Sequence, residues 1–175
     1  MIKVQSPAWE ALYETAASQA GLFTSSQSAD AGYSLQLLNH HVRCGKFARV
    51  RRGVYRLVHF PPSDQEDLMM VWLWADQQGV FSHETALALH ELSDALPAKV
   101  HLTLPLDWKK RRLRIPMGVV LHYGTMQESD RVWNGAVPVT SVGRTLTDCT
   151  DAKVSPELVQ HAVAEAKARG LIESA

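Results

Sequence analysis

The sequence predicts an α+β protein, an N-terminal winged helix-turn-helix followed by a small α+β C-terminal domain. Three observations predict it. Three short helix-like segments, each closed by a glycine at Gly21, Gly32 or Gly45, fill the first 45 residues. A hairpin pattern follows, with apolar and basic residues alternating on both sides of Gly53. After Pro61-Pro62, helix-period and strand-period segments are interspersed. The expected domains are residues 1–60, the winged helix, and residues 63–175.

The elements follow in order. Pro7 suits a helix start, and residues 8–20 carry Leu12, Ala16 and Ala20 on one face before Gly21 ends the helix. A second helix fits 25–31, with Thr24 or Ser25 as its N-cap. A third fits 35–44, capped by Ser34, with Leu35, Leu38 and Val42 turned to a core. Residues 47–50 and 54–57 form the hairpin around Arg51-Arg52-Gly53. Beyond the prolines, Ser63-Asp64-Gln65-Glu66 reads as a capping box for a helix to about residue 78, buried through Leu68, Val71, Trp72 and Ala75. A short strand at Val80-Phe81 and a helix over 83–92, capped by Ser82, come next. Strands are expected at 100–104, 119–123 and 137–139. Ser141 caps a helix to Cys149, and Ser155-Pro156 opens a last helix that stops at Gly170.

Composition narrows the class. Charged residues at 21% and hydrophobic residues at 46% are ordinary for a globular chain. The longest apolar run, Leu68 to Ala75, has eight residues, whereas a membrane helix needs about 20. With no signal-peptide pattern at the start, a cytoplasmic location and no membrane partner are expected. Cys44 and Cys149 are too few for a disulfide framework and are expected as buried, reduced thiols. Net charge is zero, but it is unevenly distributed. Residues 1–60 hold seven Lys and Arg against three Asp and Glu; the remainder holds 11 against 15. No acid stands between Asp30 and Asp64. A basic module joined to a mildly acidic one points to a polyanion partner for the first.

That partner is expected to be double-stranded DNA. In a helix-turn-helix the recognition helix enters the major groove, where its exposed polar side chains meet base edges. Here those are Ser34, Gln36, Asn39, His40 and Arg43. Gln and Asn pair with adenine and Arg with guanine, which makes Gln36 and Asn39, in the first turns, the candidates for base readout. Arg49, Arg51 and Arg52 stand on the wing, placed for phosphates or a minor groove. Lys109, Lys110, Arg111, Arg112 and Arg114 form the densest charge cluster, in a loop or hairpin between two strands. The first four are a candidate auxiliary nucleic-acid contact.

Other chemistries are weaker. His83 and His90 lie two helical turns apart, but His83-Glu84-Thr85-Ala86-Leu87 lacks the second histidine of a zinc-protease helix. His83, His90, His101 and His122 are therefore expected to bond to backbone, with no metal. Asp107-Trp108-Lys109 permits a nuclease reading, with Asp94 or Glu91 as a second acid. Arg144 and Asp148 form an i, i+4 pair of structural kind. Neither a glycine-rich phosphate loop nor a Gly-x-Ser-x-Gly nucleophile motif occurs. No enzyme activity and no cofactor are expected. A DNA-targeted nuclease and a protein-interaction module are the two alternatives.

Several segments together resemble a known family. Gly21-Leu22-Phe23-Thr24, Ala29-Asp30-Ala31-Gly32-Tyr33-Ser34, Gly45-Lys46-Phe47 and Arg52-Gly53-Val54-Tyr55-Arg56-Leu57 look like the winged helix of AbiEi-type antitoxins of type IV toxin–antitoxin systems. Ser82-His83-Glu84-Thr85-Ala86-Leu87-Ala88-Leu89-His90, Pro97 to Leu104, Val139-Thr140-Ser141 and Arg144-Thr145-Leu146-Thr147-Asp148 resemble that family's C-terminal domain. The resemblance covers about residues 15–150. It implies a transcriptional repressor that autoregulates its operon by binding inverted repeats upstream. It also implies an antitoxin domain over 63–175 that counteracts a nucleotidyltransferase-like toxin without a stable complex.

Overall fold

The computed structural model describes residues 7–94 and 96–173, which fall into two units, 1–77 and 78–175. The first unit runs α1 (Trp9–Ala17), β1 (Leu22–Thr24), α2 (Ser25–Asp30), α3 (Leu35–Arg43), β2 (Phe47–Arg51), β3 (Val54–Leu57) and α4 (Glu66–Trp74). Three helices and a three-stranded antiparallel sheet of order β1-β3-β2 make the winged helix. Apolar spacing explains its core: Leu12 and Ala16 from α1, Leu38 from α3, and Phe23, Phe47, Tyr55 and Leu57 from the strands close around one another. The central strand β3 buries Val54, Tyr55 and Leu57, while the edge strand β2 buries only Phe47. An edge strand can therefore carry arginines on its surface.

Sequence and structure agree on the three helices and the hairpin, with shorter ends. β1 is additional; it has three residues, too few to show alternation. Gly21, before it, has φ of +80°, and a Cβ there would meet the Phe60 ring at 2.6 Å. Two constraints thus require glycine at this position. Thr24 is the N-cap of α2. Its Oγ1 accepts from the Gln27 N–H at 3.1 Å, and Gln27 Oε1 accepts from the Thr24 N–H at 2.8 Å. Gln27 is held in turn by the buried Gln19, whose Nε2 also donates to the Leu22 carbonyl. Thr24→Ala is expected to lower stability by about 1 kcal/mol, measured as a shift in the urea midpoint with unchanged slope.

The boundary expected at Pro61-Pro62 lies later in the structure. α4 packs on β1 and β3, and the division falls after Gln77. The capping box expected at 63–66 does not form. Ser63 Oγ accepts from the Gln65 N–H, and the Glu66 carboxylate pairs with Arg56 Nε at 3.1 Å. Glu66 thus ties α4 to β3, which removes it from its own helix terminus. Met69 and Leu73 join Val71, Trp72 and Ala75 in the core, whereas Leu68 is only half-buried.

The second unit contains β4 (Val80–Phe81), α5 (His83–Leu89), β5 (Val100–Leu104), β6 (Val119–Tyr123), β7 (Arg131–Asn134), β8 (Val137–Thr140), α6 (Val142–Asp151) and α7 (Pro156–Ala168). Its mixed sheet has the order β6-β5-β4-β8-β7. β5 and β6 are parallel, as are β4 and β8; the other two pairings are antiparallel. α5 lies against β5 and β8, α6 against α5, and α7 against α6. Leu87, Leu92, Leu146, Cys149, Ala162 and Ala166 form the core among these helices. Strands 100–104 and 119–123 match the sequence reading at both ends; β7, an edge strand with exposed Arg131, Val132 and Trp133, is additional. Ser82 stands at the N-cap of α5 without capping it, because its Oγ accepts from Thr103 Oγ1 at 2.7 Å instead. No helix among the described residues is long and apolar enough to cross a membrane.

Candidate functional site

α3 is the element that could enter a DNA groove. Ser34 Oγ accepts from the Leu37 N–H at 3.2 Å and satisfies one of the helix's otherwise unpaired donors. Leu38 is buried against the core, and Leu37 and Val42 are half-buried. On the other face Ser34, Gln36, Asn39, His40 and Arg43 are all exposed. The structure corrects one assignment here. Leu35 is 65% exposed, not turned to the core. It occupies the first position of the helix, before α3 meets the packed cluster. It therefore stands between Ser34 and Gln36 on the exposed first turn, an apolar residue that the spacing to Leu38 had hidden.

The back of α3 is tied to the sheet through His41. Its ring lies 5.1 Å from that of Phe47 and 5.7 Å from that of Tyr33. Desolvation, then the nearby Lys46 and His40 charges, holds His41 below the ordinary histidine pKa. The neighbouring Cys44 is exposed, its Sγ 3.5 Å from His40 Nε2, which corrects the expectation of a buried thiol. Cys149 is buried as expected, and burial pushes its thiol pKa up to about 12.

Arg49, Arg51 and Arg52 are exposed along β2 and its turn. The register shift between Arg49 and Arg51 is a bulge that re-aims the end of the wing. Gly53, at φ of +78°, closes the turn, and its carbonyl accepts from the Ser25 N–H at 2.9 Å. That bond anchors the wing to the start of α2. Arg56 differs in role: it is half-buried, pairs with Glu66 and donates through Nη2 to the Phe60 carbonyl.

In the second unit, Lys109 and Lys110 end a 3₁₀ turn over Leu106–Lys110. A hairpin is ruled out at this place, since β5 and β6 run parallel and must be joined by a crossover. Lys109, Lys110, Arg111, Arg112 and Arg114 are exposed, and the Arg111 guanidinium lies 3.9 Å over the Trp108 ring. That contact fixes one charge of the cluster against a buried anchor.

A second constellation lies around a cleft of about 420 Å³ lined by His83, His122, Lys109, Arg144 and Asp148 among others. Arg144 pairs with Asp148 through Nε at 2.7 Å and with Asp130 through Nη1 at 2.9 Å. The i, i+4 pair read from the sequence is thus one arm of a triad joining α6 to the turn before β7. Its hydrogen bond to Asp148 is the first cause of the raised Arg144 pKa. His90 Nε2 bonds the Thr140 carbonyl at 2.7 Å, as expected of a structural histidine.

The other three histidines do not follow the pairing that the sequence suggested. His83 meets His101 and His122, not His90. His101 Nδ1 is 3.0 Å from His122 Nε2, and the His83 and His122 rings stack with centroids 3.6 Å apart. Desolvation, followed by neighbouring positive groups, lowers the His83 and His122 pKa values to about 4. Desolvation also holds His101 below the ordinary histidine value, against the opposing pull of the Glu84 carboxylate. Among the described residues this is the one cluster with metal-ligand donors gathered together; Asp107, Glu91 and Asp94 do not form one.

No curated protein matches the chain. The residues that build the winged helix, 10–58, match the family model of a transcriptional regulator, the AbiEi antitoxin.

Proposed function

We propose that the protein is a DNA-binding transcriptional repressor that autoregulates its operon and serves as the antitoxin of a type IV toxin–antitoxin pair. The observation that carries the reading is the face of α3. A capped helix, held at its back by Leu38 and His41, presents Ser34, Gln36, Asn39, His40 and Arg43 together, with no acid on that face. In this reading α3 lies in the major groove with Gln36 and Asn39 at base edges. Leu35, exposed beside them, adds an apolar surface of the kind that meets a thymine methyl. His40 and Arg43 meet base edges further along the helix, and the wing residues Arg49, Arg51 and Arg52 contact phosphates, which position the protein without carrying sequence information. Lys109, Lys110, Arg111 and Arg112 supply an auxiliary contact. The second unit counteracts a nucleotidyltransferase-like toxin without a stable complex. What supports this step is the resemblance, read from the sequence alone, of its Ser82–His90 and Arg144–Asp148 segments to the antitoxin domain; the family model matches only residues 10–58.

The test is a footprint on DNA upstream of the protein's own coding region at two salt concentrations. Paired protected repeats that weaken with salt are expected. Absence of any protected site would overturn the reading. Gln36→Ala is expected to cost about 1–3 kcal/mol on the protected site while leaving binding to unrelated DNA unchanged, measured by competition titration.

A further inference from the structure

Three elements far apart in sequence bring one imidazole each to a single point. His83 opens α5, His101 is on β5 and His122 is on β6. The parallel register pairs His101 with Val120 and Thr103 with His122, so His101 and His122 are diagonal neighbours on one face of the sheet. α5 covers this face, fastened where the His101 N–H donates to Thr85 Oγ1 at 2.9 Å. One nitrogen from each of the three rings lies within 4.8 Å of the others.

We propose that His83, His101 and His122 bind one zinc-class divalent ion. Neutral imidazole is a preferred ligand for such ions, and three protein ligands with one open position is a common zinc arrangement. The partners around the rings match what ligating histidines require. His101 Nε2 stands 3.2 Å from Glu84 Oε2, so the carboxylate accepts that N–H and leaves the Nδ1 lone pair facing His122. A carboxylate behind a ligating histidine orients the ring and raises its basicity. His83 Nδ1 lies 2.9 Å from Ser82 Oγ, which itself accepts from Thr103. With Nδ1–H donated to that oxygen, His83 binds through Nε2. Because His101 Nδ1 holds a lone pair, the 3.0 Å contact places a proton on His122 Nε2, and that proton must leave or move to Nδ1 as the ion enters.

Loading also has a structural consequence. An ion lies in the plane of each ring that binds it, whereas His83 and His122 are stacked at 15°. The stack must open as the ion enters. His122 borders the cleft and is only half-buried, so its ring has room to swing. The fourth position then belongs to water. The site is independent of the DNA-binding reading, and its test does not involve DNA.

The experiment is titration of chelator-stripped full-length protein with Zn²⁺ by calorimetry and with Co²⁺ by visible absorption. One equivalent is expected, with the d–d bands of a nitrogen-ligated site. His161→Ala, on the exposed face of α7, should bind like the wild type. Glu84→Gln should weaken binding roughly 10–100-fold, and His122→Asn should abolish the stoichiometric phase. Histidine ring ¹⁵N shifts of the unsubstituted protein give a readout that needs no variant. His83, His101 and His122 should move with the first equivalent of Zn²⁺ while His90 stays in place. Sub-stoichiometric binding, binding retained by a folded His122→Asn protein, or shifts confined to other histidines would overturn the proposal.

Discussion

Phe47→Ala is expected to cost the first unit about 3–5 kcal/mol, the range for truncating a buried aromatic. Phe47 is 2% exposed and is surrounded by rings. Phe23 meets it edge-on at 5.1 Å, Trp9 stacks on it at 6.3 Å, and the Tyr33 and His41 rings lie at 6.0 and 5.1 Å. Leu12, Leu38 and Leu57 share the same core, so the site relaxes only in part around the lost ring. At about 4–8 °C per kcal/mol for a unit of this size, Tm should fall by more than about 10 °C. The same residue starts β2 and supports His41 on the back of α3. Its loss therefore loosens α3 and the β2–β3 hairpin together. In a thermal melt followed by DNA titration, both readouts should change in this variant. Unchanged Tm would mean that the aromatic cluster is not the structural support of the unit.

The sequence reveals most of the first unit because its signals are local. Gly21, Gly32, Gly45 and Gly53 punctuate elements whose apolar spacing is short and regular, and every one of them has a positive φ. The exposed face of α3 follows from the same spacing, and all five polar residues expected on it are there. Leu35 is the failure: a helical period says which residues share a face, but not how far along the helix the core extends. The second unit is legible as elements but not as an arrangement. β5 and β6 match at both ends, yet their parallel pairing depends on a crossover that no local pattern encodes. The histidine cluster depends on that pairing. His83 and His90 looked related because helical period is visible in sequence. The relation of His101 to His122 is one of sheet register, and that of either to His83 is one of packing. Ser82 fails as a cap for a similar reason, since Thr103, 21 residues away, offers it a better partner.

Arg51→Ala combined with Arg52→Ala is expected to weaken binding to every DNA sequence and to flatten its salt dependence. Both side chains are exposed, at the end of β2 and in the turn, and among the described residues neither forms an ion pair. Removing them should leave folding stability within about 0.5 kcal/mol, so a change in binding reports on the DNA contact. Each phosphate contact contributes about 0.9 to the slope of log K against log salt, so losing two should reduce the slope by about 1.8. If the electrostatic term vanishes near 1 M salt, that slope corresponds to roughly a 30-fold loss of affinity at 0.15 M. The loss should be the same on the upstream repeats and on unrelated DNA, because phosphates carry no sequence. Gln36→Ala should behave in the opposite way, with an unchanged slope and a smaller gap between the two DNAs. An unchanged slope in the double-arginine variant would remove the wing from the interface and leave α3 to hold DNA alone. A loss confined to the repeats would make these arginines readers of a narrow minor groove, with shape rather than charge as their target.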